Sequence, residues 1–309
     1  MALAALSGDE QRIIFSQLCN TLDPGFAVAF GSASSGLREL TQPLLQQLQA
    51  DCMAATALGR KAGKQSCKEL REANAVVFLG GQKTRSRRIS ADDLSLLGTL
   101  GSVLPALETL ALFERAAGPD GVQRLAEKLG LGALPAVTSL SLTDMHVGDA
   151  GASALAAALG RGALPRLKSL YLLHVAIGDA GLVALAPALR RLPALEVLGL
   201  DVNPLGDEGL AALVAPPPPP AGAPPTTAGG LVKLKSLRLT ATQITDDGCA
   251  TLAAALDSGA LPALTVSEVS GTLRGSLLDY PLGTPASPAA LAAVEEALGR
   301  TASRAATPS

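Results

Sequence analysis

The chain has 309 residues, of which 48% are apolar but only 2% aromatic, with no Trp, so any large core is built from Leu, Ala and Val. The formal charge of −2 gives no overall pull towards nucleic acid or anionic membrane, and neither is expected as a partner. The four cysteines (Cys19, Cys52, Cys67, Cys249) form no CxxC pair and no period, which argues against a zinc or disulfide framework and for reduced thiols in an intracellular, cytoplasmic or nuclear setting.

Residues 1–72 carry no repeat and predict a helical segment. The opening MALAALSGDE lacks the basic start and long apolar stretch of a signal peptide. Ser7 and Glu10 fit a capping box ahead of Ile13, Ile14, Phe15 and Leu18, and Asp23-Pro24-Gly25 breaks that helix. Further helical stretches lie at 37–48 and 66–73. This segment resembles the F-box pattern, in which an I-x-x-x-L helix is followed by a D-P break and a second helix ending near L-R. Leu6, Glu10, Ile14, Leu18, Pro24, Ala29, Ser34 and Leu37 match in kind, while the proline expected after Leu6 is missing. The resemblance implies an adaptor of a cullin-type ubiquitin ligase docking on Ile13, Ile14, Leu18 and Pro24. The alternative is a helical cap that shields the first edge of the remaining chain. The two differ in burial, because a docking surface has to be exposed.

Residues 73–103 hold a possible degenerate strand–helix unit, VVFL (76–79) and ADDLSLLGTL (91–100). Between 60 and 88 lie nine basic residues against two acidic ones, read either as a solvated surface or as a nuclear-import signal or contact for an acidic partner. Arg87-Arg88-Ile89-Ser90 is either a basophilic kinase site or a helix start with Ser90 as N-cap and Asp93 three residues on. GRKAGKQS (59–66) fails as a phosphate loop, since three residues separate its glycines and Gln65 stands where a metal-binding hydroxyl belongs.

A repeat then dominates residues 104–270. Starts at Leu104, Leu134, Leu164, Leu192, Leu231 and Leu261 are separated by 30, 30, 28, 39 and 30 residues. The first five units continue with an LxL pair, from Leu110/Leu112 to Leu237/Leu239, which puts two leucines on one face of a short strand. A turn and a helical stretch such as GDAGASALAAAL (148–159) complete the unit. Asp149, Asp179, Asp207 and Asp246 stand where those helices begin, able to accept free backbone N–H groups; Gly151, Gly181, Gly209 and Gly248 come two residues later, leaving room for a close neighbour. No single unit buries both faces, so units must stack. The 39-residue step holds an insertion, VAPPPPPAGAPPTTAGG (214–230), with polyproline II character; it is either a protruding solvent loop or a ligand for an SH3- or WW-type domain, and its prolines rule out a membrane helix over the uncharged run 210–232.

LKSLYLLHVAI (167–177) and LEVLGLDVNPL (195–205) resemble the strand segment of the ribonuclease-inhibitor-like leucine-rich repeats. The resemblance implies an α/β solenoid with parallel strands on the concave face and helices on the convex face. At the family's strand-ending Asn or Cys this chain has Arg115, Met145, Val175, Asn203 and Thr242, so only Asn203 fits. Residues 271–299 read as a C-terminal cap whose helix starts at Ser287-Pro288, and 300–309 as a disordered tail.

No G-x-S-x-G or other enzyme signature appears, and no cofactor is expected. His146 and His174 lie in neighbouring units at different registers, without a carboxylate or thiol cluster at ligand spacing, so no metal is expected. In the family's geometry the inward-facing residues include Phe113, Asp144, Lys168, Tyr171, Leu173, His174, Asp201, Arg238 and Glu268. Tyr171, Leu173 and Phe113 are the apolar anchors and Arg238 the ion-pairing group of an expected protein-binding surface. A non-catalytic scaffold, an F-box-type substrate receptor and a regulator of small GTPases are the functional classes left open.

Overall fold

The computed structural model describes residues 7–79, 88–113, 120–215, 230–268 and 284–306. The proline-rich stretch 216–229, Lys83, Arg85, Arg87 and Arg115 lie outside the described residues.

Four helices come first. Helix α1 (Gly8–Leu18) opens with the capping box: the Ser7 hydroxyl accepts from the Glu10 amide at 3.3 Å and the Glu10 carboxylate accepts from the Ser7 amide at 2.8 Å. Those bonds, the backbone one foremost, hold the Glu10 carboxyl below its ordinary pKa. After the Asp23-Pro24 break come α2 (Gly25–Ser32), the 27-residue α3 (Ser35–Lys61) and the short α4 (Cys67–Glu72). Phe15, Ala27, Phe30, Leu37 and Leu48 form a small core of their own, with the Phe15 and Phe30 rings 6.3 Å apart. The far end of α3 (Ala55, Leu58) and Leu70 of α4 belong instead to the large core of the rest of the chain. Helix α3 therefore joins two cores.

From residue 75 onwards strands and helices alternate: β1 (Ala75–Leu79), α5 (Ala91–Leu100), β2 (Thr109–Phe113), α6 (Gly121–Lys128), β3 (Ser139–Thr143), α7 (Gly148–Gly160), β4 (Ser169–Leu173), α8 (Asp179–Leu189), β5 (Val197–Gly199), α9 (Asp207–Val214), β6 (Ser236–Arg238), α10 (Asp246–Asp257), β7 (Val266–Glu268) and α11 (Pro288–Ala306). Among the described residues seven strands form one parallel sheet in sequential order, and from α5 onwards each helix contacts the helix of the next unit. Val76, Leu110, Leu140, Leu170, Leu198 and Leu237 stand side by side in register, as do Phe78, Leu112, Leu142 and Leu172. All are buried. At roughly 1.5–3 kcal/mol per buried leucine, these ladders supply the main cohesion between units. The register shifts by 39 residues between β5 and β6 (Val197 opposite Ser236), so the insertion leaves the sheet unbroken. The stretches 76–79 and 91–100 are a strand and a helix in that same stack.

Aspartates tie the helical layer together, though not as the sequence suggests. Each carboxylate accepts from the start of the following unit's helix rather than from its own. Asp149 accepts from the Gly178 amide at 2.8 Å, Asp179 from those of Gly206 and Gly209 at 2.7 and 2.9 Å, and Asp207 from that of Thr245 at 2.9 Å. The glycines make this possible. A Cβ on Gly181 would sit 2.5 Å from the Asp149 carboxylate, and one on Gly209 would sit 2.7 Å from that of Asp179. The D-x-G couplet is thus an inter-unit joint, with each aspartate filling the space left by the next unit's glycine.

The last such joint explains the C-terminal helix. Asp246 accepts from the Ser287 amide at 2.6 Å, and the Ser287 hydroxyl caps α11 through the Ala290 amide at 3.2 Å. The disordered tail expected from Arg300 is helical as far as Ala306. Arg300 makes a two-pronged bond to Asp257 (both 2.9 Å), and Arg304 donates to the Asp257 carbonyl at 2.9 Å, fastening this end of α11 to the end of α10. At the other end of the stack, Lys61 reaches Asp93 at 2.5 Å, and Ser90 and Asp93 form the capping box of α5. Burial raises the Asp93 carboxyl, but the bonds from Lys61 and Ser90 outweigh it and leave the pKa below its ordinary value. Among the described residues no helix is long and apolar enough to cross a membrane.

Candidate functional site: the concave face of the sheet

Side chains alternate across each strand, so residues between the buried leucines face the other way, onto the concave surface. One row there runs Val77, Ala111, Ser141, Tyr171, Gly199 and Arg238, in register. A second runs Leu79, Phe113, Thr143 and Leu173. Val77 is 38% and Leu79 64% exposed, while Phe113, Tyr171 and Leu173 are half-buried. The Tyr171 ring lies over Gly199: a Cβ there would come within 2.9 Å of it. A glycine in β5 is what lets the tyrosine ring come this close to the neighbouring strand. Val77 and Leu79 escaped the sequence reading because β1 lacks the LxL signature; the aromatic and apolar neighbours in β2 and β4 did not.

The polar members lie at the strand ends. Asp144 and His174 each take the first position after their strand, and both have left-handed backbone, φ +54° and +51°. Val202 and Ala241, at the matching position of the next two units, share that conformation. This repeated turn stacks consecutive side chains, and His174 Nδ1 meets Asp144 Oδ1 at 2.6 Å. The two histidines stand at different registers, as expected, and line one pocket of about 110 Å³ with Asp144, Met145 and Ala176. Among the described residues no group of three or more His, Cys, Asp or Glu is placed to hold a metal ion.

Asp201 does not present itself to a partner. It is only 3% exposed, it accepts from the Thr240 amide at 3.1 Å, and its other oxygen lies 3.1 Å from Arg238 Nε. Its effect is to hold the half-buried Arg238 on the sheet. Lys168 is exposed just before β4, and Glu196 pairs with Lys235 at 2.8 Å, a bond that lowers the Glu196 carboxyl below its ordinary pKa. Glu268 ends β7 opposite Arg238, but its side chain lies outside the described part. The concave surface is therefore apolar at Val77, Leu79, Phe113, Tyr171 and Leu173, with charged groups at the strand ends and at Arg238.

The turn beyond the strands is fixed by Asn203, 2% exposed. Its carbonyl oxygen accepts from the Val175 and Ile177 amides at 3.1 and 3.2 Å, and its amide donates to the carbonyls of Leu172, Leu200 and Asp201 at 2.7–3.1 Å. Thr242 takes over part of this role one unit on, donating to the Leu239 carbonyl at 2.8 Å.

The expected adaptor-binding residues divide. Ile13 is 62% exposed, Ile14, Leu18 and Pro24 are half-buried, and Phe15 is fully enclosed. Phe26 and Val28 on α2 are also exposed, at 70% and 37%.

Comparison with known proteins matches two stretches, residues 134–156 and 231–253, to a family described as Leucine Rich repeat. Both stretches run from a strand-preceding leucine through the strand and turn into α7 or α10. No curated protein matches the chain. Among solved structures, one chain of the crystal structure of the Rad7 and Elc1 complex in yeast is 16% identical, with 84% of this chain and 68% of that chain covered and a TM-score of 0.32. The matched repeats, the seven-stranded parallel sheet and the alternating helices together make this chain a leucine-rich-repeat solenoid, strands on its concave face and helices on its convex face.

Proposed function

We propose that the chain is a non-catalytic interaction scaffold that holds a partner protein on the concave face, with Leu79, Phe113, Leu173 and Tyr171 as anchors and Arg238, held by Asp201, as the charged group. The observation that carries this reading is the exposed apolar surface of the sheet. Parallel sheets are normally covered on both faces. Here branched and aromatic side chains stand exposed or half-exposed in adjoining rows. A patch of this kind is a common mark of a protein contact. The test replaces Leu79 with Arg and Leu173 with Asp together. Neither side chain is part of the buried core, so the melting temperature should change little, while affinity for the physiological partner should fall at least about a hundredfold, two lost anchors at about 1.5 kcal/mol each. Undiminished binding by the folded double variant would remove the concave face from consideration.

A second reading has one observation in its favour. Helices α1, α2 and the first half of α3 share a core separate from that of the solenoid, and Ile13 and Phe26 are exposed on them. It is the arrangement required if these helices dock a cullin-ligase adaptor while the concave face holds a substrate. The two readings separate in the same binding assay: Ile13→Asp would lose the adaptor and keep the concave-face partner.

A further inference from the structure

Cys52, on α3, and Cys67, the first residue of α4, bring their sulfurs to 3.7 Å although 15 residues separate them in sequence. Both residues are half-buried, and neither is in a disulfide. Thr56 fixes the arrangement. Its hydroxyl donates to the Cys52 carbonyl at 2.8 Å, which leaves its lone pair to accept the Cys67 S–H at 3.0 Å. The Cys67 sulfur also lies 3.6 Å from the Cys52 carbonyl. It is thereby held over the turn of α3 that carries Cys52. We infer that Cys52 and Cys67 are a modification site, closing to an intramolecular disulfide when the protein meets a peroxide.

The chemistry balances without a further reagent. Peroxide oxidises one thiol to a sulfenic acid and releases one water; the neighbouring sulfur attacks it, the S–S bond forms and a second water leaves. Two S–H bonds and one O–O bond are exchanged for one S–S bond and two waters. Closure brings the sulfurs from 3.7 Å to the bonded separation of about 2.05 Å. Burial, and then the neighbouring Cys67, push the Cys52 thiol up, and closure quickens as pH rises because the thiolate is the reacting form.

The bond would join helices that meet at the joint between the two cores. Helix α3 spans both, and α4 places Leu70 in the larger core and leads directly into β1. Oxidation would fix the N-terminal helices against the first strand of the concave face, beside Val77 and Leu79.

The test uses full-length protein and hydrogen peroxide. Thiol titration should fall from the four cysteines of the chain by two, with the monomer mass lower by about 2 Da. Trypsin acting at Arg60, Lys61 or Lys64 should leave two fragments joined until dithiothreitol is added. Cys52→Ser should abolish the linkage, and a Cys19→Ser, Cys249→Ser double variant should retain it. Four titratable thiols after treatment, a disulfide between two molecules, or Cys52 and Cys67 recovered as separate sulfinic or sulfonic acids would each overturn the inference.

Discussion

Asn203→Leu should destabilise the protein by about 3–5 kcal/mol, measured by urea unfolding. Leucine has the same branched outline as asparagine, but its methyl groups crowd the carbonyls that the amide now contacts, so packing adds to the cost. Also lost is a partner of five buried backbone groups, the amides of Val175 and Ile177 and the carbonyls of Leu172, Leu200 and Asp201, of which the Asp201 carbonyl keeps its bond from the His174 amide. Each buried group left without a partner costs about 1–3 kcal/mol, and relaxation of the turn recovers only part of it. Because the side chain reaches back into the preceding unit, the loss should appear as a weakened junction between β4 and β5, with faster amide exchange at Val175 and Ile177. A loss below about 1 kcal/mol would mean that water satisfies these groups and that Asn203 is not a joint.

Gly209→Ala should cost about 2–3 kcal/mol, whereas Gly299→Ala should gain about 0.5–1 kcal/mol. Both glycines lie in helices, and helix propensity favours alanine at each. The difference lies in what the new methyl group meets. At Gly209 it would be 2.7 Å from the Asp179 carboxylate and 3.2 Å from the Asp179 Cα, which is backbone and cannot swing aside. At Gly299 nothing lies within 4 Å. Thermal unfolding of the two variants side by side checks the idea that D-x-G is a fitted pair. Equal effects at the two positions would reduce the couplet to ordinary helix composition.

The units themselves were legible in the sequence because leucine at every second strand position leaves no other way to bury both halves of the repeat. The aspartates and glycines were legible by type and position, but not the direction of the bond: a carboxylate at a helix start looks like a cap for its own helix until the next unit is set beside it. Asn203 stood out as the single residue of its kind at the strand end. The inward-facing positions of Phe113, Tyr171 and Leu173 came from the geometry of the resembling family, while Asp201, in the position equivalent to Leu173, turned out to be enclosed because Arg238 and the Thr240 amide converge on it. The meeting of His174 with Asp144 depends on a left-handed turn at non-glycine residues, which no composition rule announces. The helical reach of α11 to Ala306 rests on Arg300 finding Asp257, 43 residues away. The closeness of Cys52 and Cys67 depends on how α4 folds back on α3, and a spacing of 15 residues carries no hint of it.

The central claim, that the concave face holds the partner, is tested most directly by placing a photoreactive amino acid at two positions. Tyr171 lies in the middle of the sheet, and Val183 is 40% exposed on α8, on the convex side. In cells, irradiation should cross-link a single protein strongly at position 171 and weakly or not at all at 183. Cross-linking of that protein at 183 and not at 171 would contradict the account.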